Sequence, residues 1–202
     1  KIDFQTFLEL SSDFTKYDRD NLRFTTDSGA LAHLGRDSIK DHTTAVLELV
    51  KNGYDADATN VEIEINITDD NKSFIRISDY EKRKKEEEGI KKWLRIGFSS
   101  KRIDTTSKKG RRKTGEKGIG RLSADRLGSS ISLITKTKED IFGLEINWDD
   151  FDKQGIDLHL IPFKKINSPT INLPNSKSKT SLTGTELIIT NLRNEWKDSD
   201  LK

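Results

Sequence analysis

Apolar positions fall at helical spacing early in the chain and alternate with polar ones later. Within residues 38–57, Ala45, Val46, Leu49, Val50 and Gly53 recur one and two turns apart behind Asp37 or Ser38 as a cap, predicting the clearest helix. Residues 60–67 set Val61, Ile63, Ile65 and Ile67 between polar partners, and Asp69-Asp70-Asn71-Lys72 reads as the turn into a second strand over 74–79. That pair predicts a hairpin. Further strand-like runs cover 130–137, 142–148, 156–163 and 185–192, while 90–96 and 119–127 carry helical spacing. Near the start, Phe4, Phe7, Leu8 and Leu10 fit one or two helical turns, which makes residues 1–30 an arm expected to pack on the domain or on a dimer partner. Helices first and a sheet later favour an α+β fold.

Composition narrows the chemistry. The chain has 202 residues and no Cys, so disulfides, thiolate zinc sites and a cysteine nucleophile are excluded, and a single domain is expected. His33, His42 and His159 never fall at metal-ligand spacing. Charged residues make up 35% of the chain, yet the net charge is only +2, so overall charge does not point to nucleic acid. No apolar run is long enough for a membrane span and no signal-peptide core opens the chain, so the cytoplasm is the expected location. Met is absent even at position 1, so the sequence reads as a piece of a longer chain or as one lacking some residues.

The charge is concentrated locally. Residues 101–117 hold eight Lys/Arg against two Asp/Glu, a net of +6 with Gly110 and Gly115 inside it. Such a segment repels itself until something anionic orders it. It has no interleaved aromatics, which leaves nucleic-acid binding unsupported. Residues 167–183, rich in Ser, Lys, Pro and Asn, read as an exposed loop.

Two features carry candidate chemistry. On the predicted helix Glu48, Asn52 and Asp55 form one polar stripe flanking the apolar face, where a carboxylate can serve as general base and an amide as a hard oxygen ligand for magnesium. Spacing alone describes an ordinary solvated helix face equally. The second is Gly115-Glu116-Lys117-Gly118-Ile119-Gly120-Arg121, directly ahead of a predicted helix, where backbone N–H groups can converge on phosphate oxygens. It fits neither the dinucleotide fingerprint nor Walker A spacing, and a flexible hinge would have the same composition.

Together, and in this order, the segments resemble a known family. Glu48-Leu-Val-Lys-Asn52-Gly-Tyr-Asp55-Ala-Asp-Ala-Thr59 is similar to the N box of the GHKL ATPases, the superfamily of gyrase B, the ninety-kilodalton heat-shock chaperone, histidine kinases and MutL. Trp93-Leu-Arg-Ile96-Gly97-Phe-Ser-Ser100-Lys101 resembles the segment before the ATP lid in the chaperone, MutL and MORC branch. The run from Gly115 to Gly120 resembles the lid's phosphate-binding glycines, and Gly184-Thr185-Glu-Leu-Ile-Ile the late Gly-Thr strand. The likeness spans residues 31–196, with the lid at about 99–118 and 197–202 as the start of a connection to a downstream domain.

The resemblance implies a Bergerat fold: a two-layer α/β sandwich whose mixed, mostly antiparallel sheet is covered on one face by helices, with ATP between the layers. It implies an ATP-binding, magnesium-dependent ATPase whose lid closure is coupled to conformational change or to an ATP-dependent homodimer. Glu48 is then the general base and Asn52 a magnesium ligand. Asp79 receives the adenine amino group with support from Thr185. Gly115, Lys117, Gly118, Ile119 and Gly120 hold phosphates, Lys101 is a further phosphate contact, and Asp55 buttresses the helix. A lysine from a downstream transducer domain completes the site in several relatives, so turnover by this piece alone is expected to be slow.

One departure stands. The family follows its adenine-binding Asp with Asp-x-Gly-x-Gly, whereas Asp79 is followed by Tyr80-Glu81-Lys82-Arg83. Either residues are absent between Asp79 and Tyr80, or the adenine pocket is degenerate and the domain is a non-catalytic nucleotide-sensing or interaction module. A histidine-kinase catalytic domain ranks below both, since the N box and the Ile96-Gly97 segment resemble the other branch.

Overall fold

The computed structural model describes residues 3–16, 24–68, 72–81, 94, 96–97, 105–107, 109–114, 118–137, 140–171, 183–197 and 200. Three helices come first: α1 (Phe4–Lys16), α2 (Ala30–Leu34) and α3 (His42–Asp55). The hairpin β1 (Asn60–Asn66) and β2 (Phe74–Glu81) follows, then a 3₁₀ turn at Gly120–Ser123 running into α4 (Ala124–Leu127). Strands β3 (Gly128–Lys136), β4 (Ile141–Asn147), β5 (Lys164–Lys165) and β6 (Thr183–Leu192) complete one six-stranded sheet in the order β1-β2-β6-β3-β4-β5. Every strand pairing among the described residues is antiparallel, so the parallel component expected of a mixed sheet is not found there.

Alternation along the strands explains the two layers. Ile75 and Ile77 of β2, Leu187 and Ile189 of β6, and Ile131 and Leu133 of β3 stand in register on one face, all buried. Ala45, Val46 and Leu49 of α3, with Leu31, Leu122 and Leu127, belong to the same core. Each such Leu or Ile contributes about 2 kcal/mol relative to an exposed position. The opposite face is mixed: Ile134 and Tyr80 are buried on it, and so is Glu186, with Arg76 Nε 3.6 Å away.

Helix α3 begins later than the spacing suggested. Asp41 is the cap, accepting from Thr44 N at 2.7 Å, while Ser38 Oγ donates to Leu34 O at 2.6 Å and closes the preceding turn instead. The helix stops because Asp57 takes a left-handed φ of 64° and Ala58 N returns to Gly53 O at 3.1 Å. Its first residue, His42, packs edge-on against Trp196 at 4.5 Å, tying the start of α3 to the chain just after β6.

Three further expectations change. Residues 156–163 do not form a strand: Leu158–Leu160 is a 3₁₀ turn, and the β pairing of Asp157 with Asp27 is an isolated bridge. Leu158, Ile161 and Phe163 rest against the core without a ladder partner, and Pro162 has no N–H to give one. Helix α1 is longer than two turns, and Thr183, assigned to an exposed loop, opens β6 and is buried. The helical spacing at 90–96 lies almost wholly outside the described residues.

Candidate functional site

Glu48 and Asn52 stand one turn apart on α3, and what faces them comes from far along the chain. A Cβ built on Gly120 would lie 3.4 Å from Glu48 Oε2 and 3.9 Å from Asn52 Oδ1. The glycine therefore leaves room for one small group beside a carboxylate and an amide oxygen. Gly118, two residues earlier, has a φ of 70°, a conformation that glycine takes without strain. Ile119 is partly buried against the core and its carbonyl accepts from Leu122 N at 2.8 Å, which fixes the end of the glycine run to the 3₁₀ turn. Ser123 Oγ donates to Ala45 O at 3.2 Å and to Gly120 O at 2.6 Å, pinning that turn against α3.

Next to Asn52 the helix lies directly on the sheet at Asp79. A Cβ on Gly53 would stand 2.8 Å from Val61 Cγ2 and 3.3 Å from Asp79 Cβ, so only a glycine lets α3 approach this closely. From the other side Thr185 donates its backbone N–H to Asp79 Oδ1 at 3.2 Å, and Thr185 Oγ1 lies 3.4 Å from Thr135 Oγ1. Thr135 Oγ1 also donates to Gly184 O at 3.3 Å. A carboxylate with two hydroxyls around it offers both donors and acceptors to a flat, hydrogen-bonding ligand.

The structure thus brings Glu48, Asn52, Asp79, Gly118, Ile119, Gly120 and Thr185 around one helix and the sheet beneath it. Lys101, Gly115 and Lys117 lie outside the described residues. Asp55 does more than buttress its helix: it is 6% exposed and accepts from Thr114 N at 2.9 Å and from Thr114 Oγ1 at 3.2 Å. Three residues were missed by sequence reasoning. Lys51 donates to Glu48 Oε1 at 2.7 Å, a pairing that its i,i+3 spacing could have signalled. Thr114 and Thr135 had no signal, because only the tertiary register places them.

The oxygen donors suit a hard cation that keeps most of its own ligands. Among the described residues no group of three or more His, Cys, Asp or Glu could hold a metal ion. An amide oxygen and one carboxylate beside a glycine cradle fit magnesium carried in on phosphate oxygens. A cavity of about 710 Å³ lined by Phe24, Leu31, Ile96, Leu158, Ile161 and Phe163 shares no residue with this cluster.

A family model described as histidine kinase-, DNA gyrase B- and HSP90-like ATPases matches residues 40–180, well over half of the chain. The chain belongs to this family of GHKL ATPase domains, whose common activity is ATP binding. No curated protein matches it. No helix among the described residues is long and apolar enough to cross a membrane.

Proposed function

We propose that this domain binds ATP with magnesium and hydrolyses it to ADP and phosphate. One observation carries the reading: a single helix sets Glu48 and Asn52 against Gly120 and, one residue on, Gly53 against the Asp79 that Thr185 holds. The two ends of a nucleotide need those two neighbourhoods, a hydrogen-bonding carboxylate for the base and a glycine cradle with a proton acceptor for the phosphates.

In this reading Asp79 accepts from the adenine amino group and Thr185 supports that contact. Asn52 would hold magnesium, which neutralises charge on the phosphates when bound. Gly118 and Gly120 bring backbone N–H groups to the phosphate oxygens. Glu48 takes the proton of the attacking water, and Lys51 keeps its other oxygen oriented. Lys101, Gly115 and Lys117 are further phosphate contacts. The lid over 99–118 orders on the triphosphate, and residues 1–30 act as an arm for this domain or for a second copy in an ATP-dependent dimer. The relationship to the chaperone, MutL and MORC branch belongs to this proposal, as does the cytoplasmic location.

A second reading is favoured by Tyr80. It continues β2 opposite Gly184, so the strand runs on after Asp79 where the family turns on glycines. On that reading the domain senses nucleotide without hydrolysing it. Phosphate release measured with Glu48→Ala separates the two: release abolished with ATP binding intact supports hydrolysis, and no Glu48-dependent release in the parent supports the sensing module.

A further inference from the structure

The described part of the basic segment grips the C-terminal end of α3. Lys109 N donates to Asp57 Oδ2 at 3.1 Å, and Lys109 Nζ to Asp57 O at 2.6 Å. Arg111 Nη1 donates to Ala58 O at 2.9 Å and to Tyr54 O at 3.4 Å, with its guanidinium 5.0 Å from the Tyr54 ring centre. Thr114 gives both its N–H and its hydroxyl to Asp55. Cations at a helix C-terminus meet the negative end of the macrodipole, so the charge pattern matches the place.

The segment is itself a folded turn. Ser107 N donates to Arg111 O at 2.8 Å, Lys113 N donates to Thr105 O at 2.9 Å, and Thr106 bridges Arg112. Asp55 and Asp57 are 6% and 4% exposed, and a buried carboxylate is costly unless donors of this kind meet it. These are attachments on which both partners depend.

We propose that residues 107 and 109–114 form a clasp, closed on the C-terminal end of α3, that fixes where the chain delivers Gly118 and Gly120, with Asp55 as its positioning residue. Thr114 precedes Gly118 by four positions, and Asp55 follows Asn52 by three on the same helix. One rigid element therefore sets both the oxygen pair that faces Gly120 and the anchor from which the glycine run is measured. Asp55 acts through Thr114, which gives it both a backbone N–H and a hydroxyl. The inference rests on the ATP-site reading above.

The test is amide hydrogen exchange on the nucleotide-free protein, paired with titration of a nonhydrolysable ATP analogue with magnesium. Asp55→Ala should speed exchange at Thr114 and Lys109 by about ten-fold or more and quicken tryptic cleavage after Arg111, while protection at Ile131 and Leu187 stays unchanged. It should also weaken analogue affinity several-fold. Thr114→Ala, at an exposed position that does not threaten the fold, should move the same readouts in the same direction, and Thr114→Ser should restore them. Unchanged exchange in Asp55→Ala and Thr114→Ala, or faster exchange with unchanged affinity, would overturn the clasp. A parent protein that shows the exchange effects but never binds nucleotide would overturn the ATP reading and, with it, the delivery role.

Discussion

Asp79 and Thr185 stand directly opposite each other in the β2–β6 ladder, and the Thr185 N–H reaches past the strand partner's backbone to the Asp79 carboxylate at 3.2 Å. The sheet register and the placement of the Asp79 carboxylate, the proposed base-binding group, are therefore one structural decision. A slip of one residue would turn Asp79 to the opposite face and replace it with Tyr80 or Ser78.

Gly184 enforces that register. A Cβ there would stand 2.1 Å from Asp79 O, a clash with backbone that no side-chain rotation relieves. Gly184→Ala should cost about 3 kcal/mol of stability, at the upper end of overpacking effects, and lose nucleotide affinity at the same time. Urea denaturation and calorimetry on the same sample check both; a stable variant with parental affinity would show that the close approach is dispensable.

Hydrolysis should depend on Glu48 far more than binding does. Glu48→Ala is expected to lower kcat by about 10²- to 10⁴-fold, the usual worth of a positioned general base, with Kd for ATP changed little. Steady-state phosphate release and equilibrium titration give the two numbers. Equal losses in both would make Glu48 a binding residue.

The clasp should loosen only in acid. Burial pushes the Asp57 carboxyl up, but hydrogen bonds from Ser107 and Lys109 and the charges of Lys109 and Arg111 outweigh it and hold the group below its ordinary value of 3.8. A carboxylate lowered in the folded state lends stability above its unfolded value and loses it as pH falls through the lowered one. Exchange at the Lys109 amide, corrected for its intrinsic rate, should be flat from neutrality to about pH 5 and rise only below about pH 4. Opening between pH 5 and 7 would contradict this.

At the other extreme Tyr80 should resist ionisation. Burial pushes its phenol up to about 12, with the charges of Glu62 and Glu186 adding to the shift and a hydrogen bond with Ser78 opposing it. The raised value means that its stabilising contribution is full below pH 10 and lost as pH climbs toward 12. Ultraviolet titration should show a late phenolate step that Tyr80→Phe removes; if the step that Tyr80→Phe removes fell at the ordinary tyrosine pH, the burial would be contradicted.

Much of this was legible in the chain. The alternation of Val61, Ile63 and Ile65 marked β1, and Ile75, Ile77 and Asp79 marked the strand that pairs with it, because a half-buried strand writes its face into every second residue. Glu48, Asn52 and the glycine run were readable as motifs in order. The cap was misplaced because Asp37, Ser38 and Asp41 are all competent cap residues and only tertiary packing chose Asp41. The strand assigned to 156–163 failed because Leu158, Ile161 and Phe163 are apolar for a different reason, as a flap against the core. Asp55 looked like part of a helix face, and its partner Thr114 lies 59 residues away, a distance no local pattern encodes.

The most direct test is calorimetric titration of ATP with magnesium into this protein and into Asp79→Asn. Saturable binding to the parent and its loss in the variant are expected, because an amide keeps one acceptor oxygen where the Thr185 N–H and the adenine amino group each need one. A folded parent of confirmed mass that binds no ATP, or an Asp79→Asn variant that binds it as tightly as the parent, would contradict the assignment of the pocket.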